Sequence, residues 1–175
     1  MSAIDNTPNN KNFLSPLGFK FSIKKTPGVN YFVQQASIPS LTLGTATIPT
    51  PFVKLPIPGD HIDFGTFSVS FRVDEEMRNY MELYNWMTSL GKPQNFNQYK
   101  TLADKAVPGT GEGIYSDATL VILSSAKNPI LEVHYRNIYP TQLTEVTFDS
   151  KLEQVNYVEC TATFAYEQFT FNYLI

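Results

Sequence analysis

The side chains best suited to chemistry are few and scattered. Cys160 is the single thiol, and it stands in the alternation Val158, Cys160, Ala162, Phe164, where a free cysteine packs as a small core residue rather than acting as a nucleophile. No Gly-x-Ser-x-Gly elbow offers a serine in its place. His134 lies in the polar phase of a strand beside Glu132 and Arg136, and His61 falls in a proline-rich stretch between Asp60 and Asp63. Asp60, His61 and Asp63 could hold a metal weakly, but a solvated loop end accounts for them with less. Gly109, Gly111 and Gly113 have the look of a phosphate loop, yet strand signals at Ile114 and Tyr115 follow where pyrophosphate binding needs a helix N-terminus. Glu75 and Glu76 are accounted for by the positive end of a helix dipole and need no acid/base role. The chain is therefore expected to be no enzyme and to hold neither cofactor nor metal.

The whole-chain numbers agree. Thirteen basic against sixteen acidic residues leave a net charge of −3, the wrong sign for gripping phosphates, and Lys24-Lys25 is the only basic pair. One cysteine and two distant histidines encode neither a disulfide nor a zinc set. At 175 residues and 42% hydrophobic content the chain suits a single domain, placed at residues 17–175 behind a polar, Asn-rich arm at 1–16 that reads as flexible. No run of about 18 apolar residues occurs, and the N-terminus lacks an apolar signal region, so synthesis in the cytosol without secretion by that route is expected.

The elements that would position these residues are mostly strands. Leu17, Phe19, Phe21 and Ile23 alternate with polar residues; Lys25 to Gly28 turn the chain; Tyr31 to Ile38 reads as a second extended run. Phe67, Val69, Phe71 and Val73 form the clearest strand. Asp74 then reads as the N-cap of the one long helix, about 75–90, with Met77, Tyr80, Met81, Tyr84 and Met87 at helical spacing and Leu83, Trp86 and Leu90 elsewhere on its circumference. Further strands are expected at 118–123, 131–136, 143–148, 155–166 and 169–174, with a turn at Lys127-Asn128-Pro129, a break at Tyr139-Pro140 and an exposed loop over 91–116. The predicted fold is mainly β, an antiparallel barrel or sandwich with one flanking α-helix.

Residues 37–65 are different in character. Five prolines (Pro39, Pro49, Pro51, Pro56, Pro58) exclude a central strand, and the stretch is expected to be a long loop. It carries Leu41, Leu43, Ile48, Phe52, Leu55 and Ile57, with Gly59 and Asp60 behind them, which is too apolar for a disordered linker. Such a stretch needs something to lie against, and a neighbouring subunit is favoured over its own sheet. Aromatics at 14%, with charged residues at only 17%, suit a protein whose surfaces are mostly contacts.

Several segments in order resemble the tail tube proteins of T4-like contractile-tailed phages: Pro58-Gly59-Asp60, Phe64, the strand Phe67 to Val73 running into Asp74-Glu75, a helix with Trp86, then Ile138-Tyr139-Pro140-Thr141 and the closing strand Val158 to Tyr166. The resemblance spans about Leu17 to Tyr166 and extends to the tube proteins of type VI secretion and other contractile injection systems. It implies a homo-hexameric ring that stacks into a conduit for phage DNA and the tape measure protein, with sheath and baseplate proteins as further partners. The setting it implies is the virion tail, assembled in the host cytoplasm. It also implies that the 39–64 segment reaches a neighbouring subunit or ring, and that Glu159, Thr161 and Thr163 face the lumen, where like charge keeps DNA from sticking. Ile138-Tyr139-Pro140 departs from a common Leu-Trp-Pro pattern. Ser70-Phe71-Arg72 with Asn79-Tyr80 looks nearer to the tube initiator at the baseplate, so that relative is the alternative to the main tube subunit. A small β-sandwich binding or decoration module is the alternative of another class.

Overall fold

The computed structural model describes residues 11–93, 95–97, 99–100, 113–151 and 157–174. Residues 11–15 carry no helix or strand; the rest of the expected arm, at 1–10, and most of the expected 91–116 loop, with Gly109 and Gly111, lie outside the described residues. In chain order come β1 (Phe19–Ile23), α1 (Pro27–Phe32), β2 (Val33–Ala36), β3 (Leu41–Pro49), β4 (Lys54–Phe64), β5 (Phe67–Arg72), α2 (Arg78–Gly91), β6 (Ser116–Leu123), β7 (Pro129–Leu143), β8 (Glu159–Ala165) and β9 (Gln168–Tyr173). Every strand pair is antiparallel.

Seven strands make a sandwich-like body in the order β1-β6-β7-β8-β5-β2, with β9 on the other side of β7. The body does not close into a barrel. The strand β7 joins its two halves: residues up to Ile138 pair with β6 and β9, and Tyr139 to Leu143 pair with β8. It turns the corner through a bulge near Asn137, which takes the left-handed φ of 53°. The expected break at Tyr139-Pro140 is thus absent. Pro140 is buried inside the strand, beside a register shift where a proline needs no ladder donor.

Alternation places the core. Phe67, Val69 and Phe71 of β5 face Phe164, Ala162 and Cys160 of β8, and all six are buried. Phe67 stacks on Tyr135 at 4.5 Å between ring centroids, with Phe21 at 5.5 Å and Phe164 at 6.0 Å.

Beside the expected α2, a second helix, α1, flanks the body. The expected turn at 25–28 begins α1, because Pro27 presets the helical φ at the first position. Asn30 clamps this helix to β1, accepting the Ile23 N–H at 2.7 Å and donating to the Ile23 carbonyl at 3.1 Å, so the expected strand over 31–38 shrinks to β2. In α2 the buried stripe is Asn79, Leu83 and Trp86, whereas Met81 and Tyr84 are exposed. Asp74 is not its N-cap: Met77 takes that position with φ 54°, and the Asp74 carbonyl accepts the Met77 N–H. Buried Asn79 organises the entry, donating to the Arg72 carbonyl at 2.8 Å while its Oδ1 accepts the N–H groups of Asp74 and Tyr80.

The expected loop over 39–64 is instead a two-stranded ribbon. β3 and β4 pair with each other and, among the described residues, with no other strand, from Leu41↔Phe64 at the base to Pro49↔Lys54 at the tip. Each strand has an outer edge that needs no ladder partner, so prolines excluded from a central strand are tolerated here.

Candidate functional site

Two surfaces stand out, and neither is a catalytic cleft. The first is the ribbon. Paired residues share a face and neighbours alternate, so Leu41, Leu43, Ile62 and Phe64 line one side of the basal half, while Ala46, Ile48, Leu55 and Ile57 line the opposite side of the distal half. The crossover lies at Gly44 and Gly59, where the register shifts; a Cβ on Gly59 would stand 2.6 Å from the Gly44 carbonyl oxygen, so only glycine fits. The base of the ribbon is anchored at Phe64, edge-on to Tyr166 and Phe169, and by the Tyr166 hydroxyl donating to the Gly65 carbonyl at 2.6 Å, while Leu41, Leu43 and Ile62 stay exposed. The distal side chains Ile48, Leu55 and Ile57 are exposed, and Phe52 at the tip is 96% exposed. Asp60 sits exposed beside the crossover, and His61 pairs with Asp63 at 3.1 Å.

The second surface is the outer face of β8, β5 and the last residues of β7. Glu159, Thr161 and Thr163 alternate with buried Cys160, Ala162 and Phe164, and their partners across β5 are Arg72, Ser70 and Ser68. The face is knitted by hydroxyls: Ser70 to Thr161 at 2.8 Å, Ser37 to Ser68 at 3.0 Å, and the Thr161 N–H to the Thr144 hydroxyl at 2.9 Å. Its charges offset one another. Arg72 Nε lies 3.9 Å from a Glu159 carboxylate oxygen, and the guanidinium rests over the Tyr157 ring at 4.5 Å.

The dispersed groups stay dispersed. Cys160 is 1% exposed, and burial pushes its thiol pKa up, partly opposed by hydrogen bonds with Thr144. His134 pairs with Glu132 at 3.1 Å on the outer side of β7, far in sequence from His61. No group of three or more His, Cys, Asp or Glu that could hold a metal occurs among the described residues. Sequence reasoning missed the Arg72–Glu159 pair and the role of Asn79; cross-strand register, which no local pattern specifies, creates the first.

The architecture has known counterparts. The sequence profile of the family described as phage tail tube protein matches residues 6–172. This chain belongs to the phage tail tube protein family. It is a structural component of the tail in that family's virions, with a contractile-tail relative in the tail tube terminator protein of Enterobacteria phage T4, 25% identical over 146 residues, 74% of this chain and 77% of that one. Among solved structures, the tube-terminating cap of the anti-feeding prophage superposes with a TM-score of 0.61 at 13% identity over 99% of both chains. The sheath/tube terminator of the PVC extracellular contractile injection system follows at 0.57 and 13%, over 93% of this chain and 99% of that one. The six-fold symmetrised baseplate of the anti-feeding prophage gives 0.59 and 12%, over 95% and 97%. At such identities these structures bear on the fold alone, which they share over nearly the whole chain.

Proposed function

We propose that this tail tube family protein forms a homo-hexameric ring in a contractile phage tail, at the end of the tube as its terminator. The observation that carries the position is the relationship to the T4 terminator along three quarters of both chains. In this ring the ribbon reaches a neighbouring subunit through Leu41, Leu43, Ile48, Phe52, Leu55 and Ile57, with Gly59 and Asp60 at the crossover; its exposed distal apolar patch supports that role. The hydroxyl-rich face carrying Glu159, Thr161 and Thr163 lines the lumen. Because Arg72 offsets Glu159, DNA and the tape measure protein pass a wall that lacks cationic anchors, rather than one that strongly repels them. Sheath and tube proteins are the partners outside and below the ring.

A second reading, the main tube subunit, is favoured by the family description itself; the baseplate likeness keeps the initiator beside it. Negative-stain electron microscopy and sedimentation over a concentration series separate them. A terminator gives rings that stay finite alone and cap preformed tubes, a main subunit gives tubes that lengthen with concentration, and an initiator gives rings that seed them. Thr161→Lys with Thr163→Lys is expected to slow DNA release from assembled particles, and unaltered release would remove the lumen assignment.

A further inference from the structure

The ribbon tip is built as a plug. Between Thr45 and Pro58 the only charged side chain is Lys54, directly beside the exposed Phe52 and Val53. The turn that presents them is held in place: the Thr50 N–H donates to the Val53 carbonyl at 3.2 Å and the Val53 N–H donates to the Thr50 hydroxyl at 3.1 Å, with Pro51 fixing φ between them. A preorganised apolar tip with one cation loses little freedom on docking.

A matching receptor lies on the body. At the start of β8, a groove of about 530 Å³ is lined by Glu145, Phe148, Asp149, Tyr157, Val158 and Glu159, among others. Its two aromatic rings are 73% and 71% exposed for Phe148 and Tyr157. Of its three carboxylates, Glu159 faces Arg72, whereas Glu145 and Asp149 make no ion pair among the described residues. Two other surface grooves lack this character. One contains Lys20 beside Leu17 and Tyr31 and would repel Lys54; the other, around Phe13, Leu14, Ser124 and Ile130, has no charged lining residue.

From this complementarity we infer that Phe52 and Lys54 of one copy dock into the Glu145, Phe148, Asp149 and Tyr157 groove of a neighbouring copy. Phe52 lies against Phe148 and Tyr157, and Lys54 meets the two unpaired carboxylates. The inference rests on the ring reading and names the receptor for its ribbon.

A charge swap tests it. Asp149 also accepts the Lys151 N–H at 2.9 Å, so Glu145 is the acid to reverse without disturbing that turn. Lys54→Glu alone and Glu145→Lys alone are expected to weaken ring formation by about tenfold or more, by placing like charges together, and the combination restores it. A second measurement reads proximity: Phe52→Cys protein mixed with Tyr157→Cys protein forms a disulfide between copies on oxidation, and the buried Cys160 does not compete. Where the wild type forms rings, single reversals that leave ring formation unweakened, or a mixture of the two cysteine variants that gives no cross-link, overturn the docking while leaving the ring reading intact. A wild-type protein that stays monomeric at every concentration and caps no tube overturns both.

Discussion

In β5, Phe67, Val69 and Phe71 alternate with polar residues and all three are fully buried; in the ribbon, Ala46 and Ile48 oppose Ile57 and Leu55 with the same regularity, and the large side chains among them stay one third to one half exposed. The two regions draw on the same residue types and the same two-residue period. What separates them is the supply of a covering layer within the chain. β5 sits between β8 and β2 with aromatic side chains packed over it, whereas β3 and β4 pair only with each other among the described residues and meet the body's aromatics at their base through Phe64. Alternation therefore shows that a face is to be covered, and says nothing of which molecule covers it.

The contrast predicts mutational effects that differ in kind. The largest loss of folding stability is expected for Phe67→Ala, about 3–5 kcal/mol in a denaturant titration, because the ring is buried among Tyr135, Phe21 and Phe164. A loss near zero would mean the sandwich core is no better packed than the ribbon. Asn79→Ala comes next at roughly 1–3 kcal/mol, since the carbonyl of Arg72 and the N–H groups of Asp74 and Tyr80 lose a buried partner. Asn79→Asp sharpens the point: it keeps the acceptor for both N–H groups but sets a buried carboxylate oxygen against the Arg72 carbonyl oxygen, and should cost at least as much as Asn79→Ala.

Raising the pH should also distinguish the regions. Cys160 and Tyr135 are neutral when protonated, and burial holds both pKa values above the ordinary 9.0 and 10.0. Below those values folded and unfolded chains bind the same protons, so stability is flat; as pH rises through them the unfolded chain releases protons first and stability falls. Cys160→Ala should remove the earlier part of the decline in a melting series. Ribbon substitutions should leave that alkaline profile unchanged.

The smallest effect on folding is expected for Ile48→Ser with Leu55→Ser, about 1 kcal/mol or less, because each side chain is about half exposed and the pair touches across the ribbon rather than filling the core. Ring formation measured by sedimentation should nevertheless be lost. A variant that unfolds the free subunit instead would show that the distal patch packs on its own chain, and the comparison would fail.

Much of the body was legible in advance. The period-two patterns of β1, β5, β6 and β8 extend over most of each strand, and each has one buried face, so local sequence and tertiary environment agree. The start of α1 was read as a turn because Pro27 and Gly28 are turn residues; the clamp between Asn30 and Ile23 that favours a helix spans seven residues and is not a local signal. Asp74 at the head of acidic residues resembled a cap, but the backbone enters α2 through Met77, and the buried amide of Asn79 supplies the partners. On α2 two stripes competed, and the sheet covers the one containing Leu83 and Trp86.

For the surfaces, composition pointed to 39–64 as an apolar stretch set apart from the sheet's own core, and the alternation at 158–164 separated its core side from its polar side. Residue types and spacing were enough for that, because apolar excess and period-two patterning are properties of the chain itself. Pairing of β3 with β4, the change of apolar side at Gly44 and Gly59, and the meeting of Arg72 with Glu159 were decided only in three dimensions. Each depends on which strand lies beside which and in what register, and hydrogen bonds between residues distant in sequence, which no local pattern encodes, set that register.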